Sequence, residues 1–240
     1  MLTIVIPAYN EEERLKRCLI PTINFLNNNK IDSEIIIVCD GCTDNTYTVA
    51  QIFHADFNNL KILKYSPNKG KGFAVKTGMM EAKGNLRMFM DADYSVPIEA
   101  LPQFIEAHIE GFDIIIGSRG HSDSIIEKHQ KYFRELAGKL FGKLQKIILD
   151  FPFYDTQCGF KLFTKEAAEF IFPQIKYNCS YFDAELIYIA FNAGMKIKEL
   201  PVKWTHDGVT RMPIGPLRII DLVKKLFLIK KYHKQIPVFK

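Results

Sequence analysis

Leu86-Arg-Met-Phe-Met-Asp91-Ala-Asp93-Tyr-Ser95 runs from a mostly apolar stretch into two carboxylates one residue apart. The apolar part reads as a buried strand. Residues i and i+2 of a strand point the same way, so Asp91 and Asp93 are expected to converge at its C-terminal edge. Two hard oxygen donors at an open edge suit Mg²⁺ or Mn²⁺, which proteins hold with one or two carboxylates plus substrate phosphates. A polar loop after a strand has the same three residues, so the surrounding chain has to decide.

Working outward, short apolar runs alternate with segments of helical spacing. Leu2 to Pro7, Glu34 to Cys39, Leu60 to Tyr65 and Asp113 to Gly117 read as further strands; Glu11 to Leu26, Gly72 to Ala82 and Pro97 to Glu110 read as helices. Thr43 or Asp44 is expected to cap the helix after the second strand. Such alternation implies βαβ units and a mostly parallel central sheet with helices on both faces. Ligands of these sheets bind beyond the carboxyl ends of the strands. That rule gathers Pro7-Ala8-Tyr9-Asn10-Glu11, Asp40-Gly41, Asp91-Ala92-Asp93 and Ser118-Arg119 on one edge. Lys71 opens a glycine-flanked helix, where backbone N–H groups also favour phosphate. Beyond residue 120 the spacing predicts a long helix over Glu127 to Leu149, a strand over Phe160 to Phe163, a helix over Phe182 to Ala193 and a strand over Ile197 to Trp204.

The chain has 240 residues, 48% hydrophobic and 25% charged, an ordinary globular mixture. No apolar run reaches the roughly 18 residues of a membrane span, and no secretory signal is read at the start, so a cytoplasmic protein is expected. The net charge of +5 is concentrated at one end: residues 217–240 carry +6 and the preceding 216 residues −1. A nearly neutral body argues against nucleic acid as a partner. From Pro216 to about Lys234, Ile219, Ile220, Leu222, Val223, Leu226 and Phe227 recur on one side at helical spacing, with Arg218, Asp221, Lys224, Lys225 and Lys231 opposite. The expected organisation is a catalytic domain over 1–211 and a basic amphipathic helix over 212–240, suited to an anionic membrane surface. Five cysteines, an odd number, and no secretory signal argue against a disulfide framework. Cys39-x-x-Cys42 lacks a second pair for zinc and a thioredoxin-like surrounding for redox work.

The edge motifs, in order, resemble the nucleotide-sugar half of the family 2 GT-A glycosyltransferases: Ile4-Val-Ile-Pro7-Ala-Tyr9-Asn-Glu11-Glu, Val38-Cys-Asp40-Gly-Cys-Thr-Asp44, Asn68-Lys-Gly-Lys71-Gly, Met90-Asp91-Ala-Asp93 and Gly117-Ser-Arg119. The block Asp155-Thr-Gln-Cys-Gly159-Phe-Lys161-Leu-Phe-Thr-Lys-Glu-Ala-Ala168, with Phe182-Asp183-Ala-Glu185 and Val202-Lys-Trp204-Thr, is similar to the dolichyl-phosphate β-glucosyltransferases and less so to the mannose synthases. The resemblance covers about residues 2–211. It implies a GT-A, Rossmann-like α/β fold followed by C-terminal amphipathic helices. The chain departs from the pattern at Cys39-Asp40-Gly41-Cys42, where members often carry Asp-Asp-Gly-Ser, and the N-terminal membrane anchor of eukaryotic members has no counterpart in the match.

The implied reaction is inverting transfer of a sugar from a nucleotide sugar, with UDP-glucose preferred, to a polyisoprenyl phosphate on the cytoplasmic face of a membrane. The alternatives are a mannose synthase using GDP-mannose, or transfer to a hydroxyl of a glycan or glycolipid. The resemblance assigns Pro7, Ala8, Tyr9, Glu11, Asp40, Lys71, Asp91, Ala92, Asp93, Arg119 and Arg211 to the nucleotide sugar, and Asp91 and Asp93 to Mg²⁺ or Mn²⁺. Arg134 is placed where members present a cation to the acceptor phosphate. Asp155 and Asp183 are the candidates for a base, although each equally suits orienting the sugar hydroxyls or Lys161. A phosphate monoester, largely ionised at pH 7, is already a nucleophile.

Overall fold

The computed structural model describes residues 1–128, 132–179, 181–208 and 216–239; within these the side chains of 56, 132–137, 139 and 216–220 are not described. Strands and helices alternate through β1 (Leu2–Ala8), α1 (Glu12–Asn28), β2 (Ser33–Asp40), α2 (Thr46–Asp56), β3 (Leu60–Tyr65), α3 (Lys71–Glu81), β4 (Leu86–Met90), α4 (Leu101–Ile109) and β5 (Ile114–Ser118). Then follow β6 (Ile125–Lys128), α5 (Tyr132–Leu149), β7 (Phe160–Thr164), α6 (Lys165–Ile171), α7 (Phe182–Asn192), β8 (Ile197–Pro201), β9 (Lys203–Thr205) and α8 (Pro216–Tyr232).

Seven strands form one sheet in the order β3-β2-β1-β4-β7-β5-β8. Every neighbouring pair is parallel except those of β7, which runs antiparallel to both β4 and β5. The central strands are apolar at nearly every position because both faces are covered. Alternation sorts them. Ile4, Ile6, Ile35, Ile37, Met88, Ile115 and Leu162 face α1, α2 and α4. Val5, Ile36, Val38, Phe89, Ile114 and Phe163 face α3, α6 and α7.

The departures from the expected elements have local causes. Residues 127 and 128, expected to open the long helix, belong instead to a strand over 125–128: β6 pairs with β9 in a second, two-stranded sheet. The run from Ile197 to Trp204 therefore divides, one part completing the main sheet as β8 and the other leaving it as β9. The cap position of α2 is Asn45. Asp44, one residue earlier, still serves the helix, since its Oδ1 accepts from the Thr46 N–H at 3.0 Å and its hydroxyl at 2.6 Å.

The C-terminal helix is docked on the body. Leu226 and Ile229 are fully buried in the core that includes α7, with Leu222 partly buried beside them, and α8 also packs on α5. Phe227 falls on the exposed face instead of the buried seam, between Lys224 and Lys231.

Candidate active site

The carboxyl ends of β1, β2, β4 and β5 lie on one edge of the sheet, and the expected residues gather there. β4 ends at Met90, so Asp91 and Asp93 sit in the turn that follows instead of on the strand. The turn is closed by the Tyr94 N–H donating to Asp91 O at 3.2 Å, with Tyr94 at φ 55°. Asp91 stays in line with β4 because its N–H donates to Gly159 O at 3.0 Å. Gly159 has to be glycine: a Cβ there would lie 2.1 Å from Asp91 Oδ2. Asp93 Oδ1 accepts from the Ser95 N–H at 3.0 Å. Burial, aided by the like charge of Asp91, raises the Asp93 carboxyl above its ordinary value. Ala92, between them, is buried.

Lys71 opens α3 and its Nζ lies 2.6 Å from Asp91 Oδ1. Burial would lower its pKa, but Asp91, Asp183 and Asp93 more than offset this, so the ammonium is held charged. The helix is preceded by a turn that Asp40 organises from the end of β2. Asp40 accepts from Asn68 Nδ2 at 2.9 Å, Lys69 N at 2.7 Å and Gly70 N at 2.9 Å. The pattern Asn68-Lys-Gly-Lys71 drew attention to Lys71; that the neighbouring backbone N–H groups engage Asp40 depends on two loops meeting, which no linear spacing reveals.

Pro7 and Ala8 close β1. Tyr9 is 40% exposed at the edge, and Glu11 accepts from Arg14 Nη1 at 3.1 Å. Cys39 is buried and Cys42 half-buried, both as free thiols. Hydrogen bonding between them pulls Cys42 down to about 7 and pushes Cys39 up.

On the other side of Asp91, Arg119 follows β5 and is clamped by Asp155. Its Nε and Nη2 donate to the two carboxylate oxygens at 2.6 and 2.8 Å, and its backbone N–H donates at 3.0 Å. Burial opposes ionisation of Asp155, but the guanidinium outweighs it and holds the carboxyl down at about 2. So strong an acid is a poor base; it holds Arg119. Glu199 secures the same loop by accepting from the N–H groups of Tyr154 and Asp155, a contact with no signal in the sequence.

Asp183, in the first turn of α7, is buried and accepts from Lys161 Nζ at 2.6 Å. Lys161 is itself fully buried and also donates to Cys158 O. Burial raises the Asp183 carboxyl in spite of the opposing charges of Lys161 and Lys71. Of the other expected residues, Arg211 lies outside the described residues, and Arg134 lies on α5 with its side chain among those not described. Among the described residues no three carboxylate, histidine or cysteine side chains group as a complete metal site. The pair Asp91 and Asp93 offers hard oxygen donors, the donor type that would suit a cation sharing its coordination with phosphate oxygens.

Comparison with known proteins agrees with this geometry. The chain is 34% identical over 235 residues to a dolichyl-phosphate beta-glucosyltransferase of Trichomonas vaginalis, covering 92% of this chain and 69% of that protein. It is 35% identical over 222 residues to the dolichyl-phosphate beta-glucosyltransferase of Dictyostelium discoideum, covering 86% and 67%. Among solved structures it is similar to glucosyl-3-phosphoglycerate synthase of Mycobacterium tuberculosis in complex with Mn²⁺, UDP and glucosyl-3-phosphoglycerate, with a TM-score of 0.64 at 17% identity over 97% of this chain and 79% of that one. That likeness, with the sheet order, identifies the expected GT-A fold. The model for Glycosyl transferase family 2 matches residues 3–172, from β1 through the start of the turn after α6. Asp40 at the end of β2, Asp91 and Arg119 just beyond β4 and β5, and the loop that holds Asp155 all lie within that span, and the chain belongs to glycosyl transferase family 2.

Proposed function

We propose that the protein transfers glucose from UDP-glucose to a polyisoprenyl phosphate at a membrane surface. The observation that carries this reading is that the likeness to dolichyl-phosphate beta-glucosyltransferases extends over nine-tenths of the chain, well past the family match at residue 172. The proteins of that name act on dolichyl phosphate and glucose, and a protein of the same fold has been crystallised with UDP and Mn²⁺ or Mg²⁺.

The nucleotide is read at the edge formed by Pro7, Ala8, Tyr9, Glu11, Asp40 and Lys71. Asp91 and Asp93 would hold Mg²⁺ or Mn²⁺, which supplies neutralisation of the diphosphate as it leaves. Lys71 adds a fixed positive charge beside the same carboxylates and is suited to a phosphate oxygen. Arg119, locked in one orientation by Asp155, presents its remaining N–H groups without a further entropic cost of ordering. The acceptor phosphate ionises near pH 6 and needs placement more than deprotonation. Asp183 is engaged by Lys161 and serves to order the site beneath the sugar. Arg134 is assigned to the acceptor phosphate on resemblance, and Arg211 to the diphosphate.

Radiolabelled UDP-glucose incubated with the protein and a polyisoprenyl phosphate should yield label in a lipid phosphate fraction, lost on chelation of the metal. Label in a glycan, or higher turnover with GDP-mannose, would replace this reading by one of its alternatives.

A further inference from the structure

The Lys71 loop is backed by a second loop, residues 176–178, and that loop is held from the C-terminal tail. Gly72 N donates to Asn178 O at 2.8 Å. The fit is close enough that a Cβ on Gly70, whose φ is +99°, would lie 2.4 Å from Asn178 O. Loop 176–178 in turn hangs on one carboxylate. Glu185 of α7, fully buried, accepts from Lys176 N at 3.1 Å and Tyr177 N at 2.9 Å. Its third partner is His233 Nε2 at 2.7 Å, just beyond α8 and 7% exposed. Since Glu185 already accepts from two backbone N–H groups, the imidazole Nε2 carries the hydrogen and donates it. Tyr232 completes the grip: its ring lies 6.2 Å from that of Tyr177, and Lys176 Nζ stands 4.9 Å over it.

We propose that Glu185 and His233 are positioning residues for the nucleotide loop. The contacts run without a gap from the tail to the site: His233 to Glu185, Glu185 to the N–H groups of 176 and 177, Asn178 O to Gly72 N, and Gly70 N to Asp40. Lys71, between those two glycines, meets Asp91. A buried carboxylate that loses one donor has to rearrange or admit water. Here the rearrangement moves the loop that sets Lys71. The tail thereby becomes part of the nucleotide site without touching the nucleotide. This rests on reading loop 68–72 as the diphosphate-binding element.

The test is calorimetric titration of the full chain with UDP and Mg²⁺. His233→Ala is expected to weaken UDP binding by about fivefold to tenfold, and His233→Gln, whose amide can donate to Glu185, to restore most of it. Tyr232→Ala, at an exposed position that leaves folding intact, is expected to weaken it by about twofold to threefold. Phe104→Leu, on the opposite face of the sheet, should lower the melting temperature and leave UDP affinity unchanged. Equal affinity of wild type, His233→Ala and Tyr232→Ala would overturn the inference alone. Absence of UDP binding by the wild type would overturn the nucleotide reading and this inference with it.

Discussion

Asp155 takes four hydrogen bonds, three from Arg119 and one from Gln157 N at 3.0 Å. Its folded pKa of about 2 lies below the ordinary carboxyl value, so its stabilising contribution is complete above about pH 4 and lost as pH falls toward 2. The contribution is about 2 kcal/mol. Asp155→Asn should therefore lose stability at pH 7 in urea unfolding, with the gap to wild type closing below pH 4; a constant gap down to pH 2 would contradict the ion pair. Asp93 and Asp183 should separate in the same way by environment. Asp93, partly buried in the edge turn beyond β4, lies outside the apolar core, so Asp93→Asn should leave the fold intact while abolishing transfer. Asp183→Asn strands the buried Lys161 ammonium and should cost about 3 kcal/mol. Below its melting temperature it should still turn over a phosphate acceptor, with a rate that follows acceptor ionisation near pH 6. If the folded Asp183→Asn protein is as inactive as Asp93→Asn, a side-chain base is required after all. The residues of the edge could be read from the sequence because each follows a strand. Their partners could be read only in part: Lys161 is expected beside Asp183 or Asp155 and meets Asp183, whereas its full burial, its bond to Cys158 O and the contact of Glu199 with a loop 44 residues away in sequence have no signal in the chain.

At the scale of elements, the apolar strands could be read because their burial on both faces leaves no polar alternation, and β3 falls where its residues predict it, at Leu60–Tyr65. The second sheet could not, since β6 and β9 are only four and three residues long and meet across a long stretch of intervening chain. The tail helix was visible as an element but not as a neighbour. Periodicity identifies an apolar face and says nothing of whether protein or lipid covers it. The structure gives part of that face to the body, through Leu226 and Ile229. Leu226→Ala should then destabilise the whole chain by about 2–5 kcal/mol, the cost of a buried cavity. Urea unfolding followed by a single cooperative transition would check this, and an unchanged midpoint would mean that the helix contributes no stability to the core. It follows that the boundary near residue 211 separates sequence patterns, whereas the core runs across it.

For the whole molecule, the question is how a chain reaches a lipid phosphate when no helix among the described residues is long and apolar enough to cross a membrane. With the buried seam of α8 committed to the body, its outward face is what remains for lipid. That face carries Phe227, 59% exposed, with Lys224 and Lys231 three and four residues to either side. The neighbouring α5 exposes Leu140 and Ile147 with Lys143 between them at the same spacing. Each helix thus shows a small apolar contact flanked by lysine, the combination that favours an anionic interface. The apolar area is modest, so electrostatics has to supply most of the attraction, at about 1 kcal/mol per basic residue near the surface. Replacing Lys143, Lys224 and Lys231 together by Gln should weaken co-sedimentation with anionic liposomes by about 100-fold. The melting temperature and UDP binding should stay at wild-type values, because all three side chains are exposed and none touches the Glu185 loop. Raising the salt from about 0.1 to 1 M shortens the Debye length from about 10 to 3 Å and should release the wild type in the same way. A triple variant that sediments as the wild type does would exclude these two helix faces as the membrane contact.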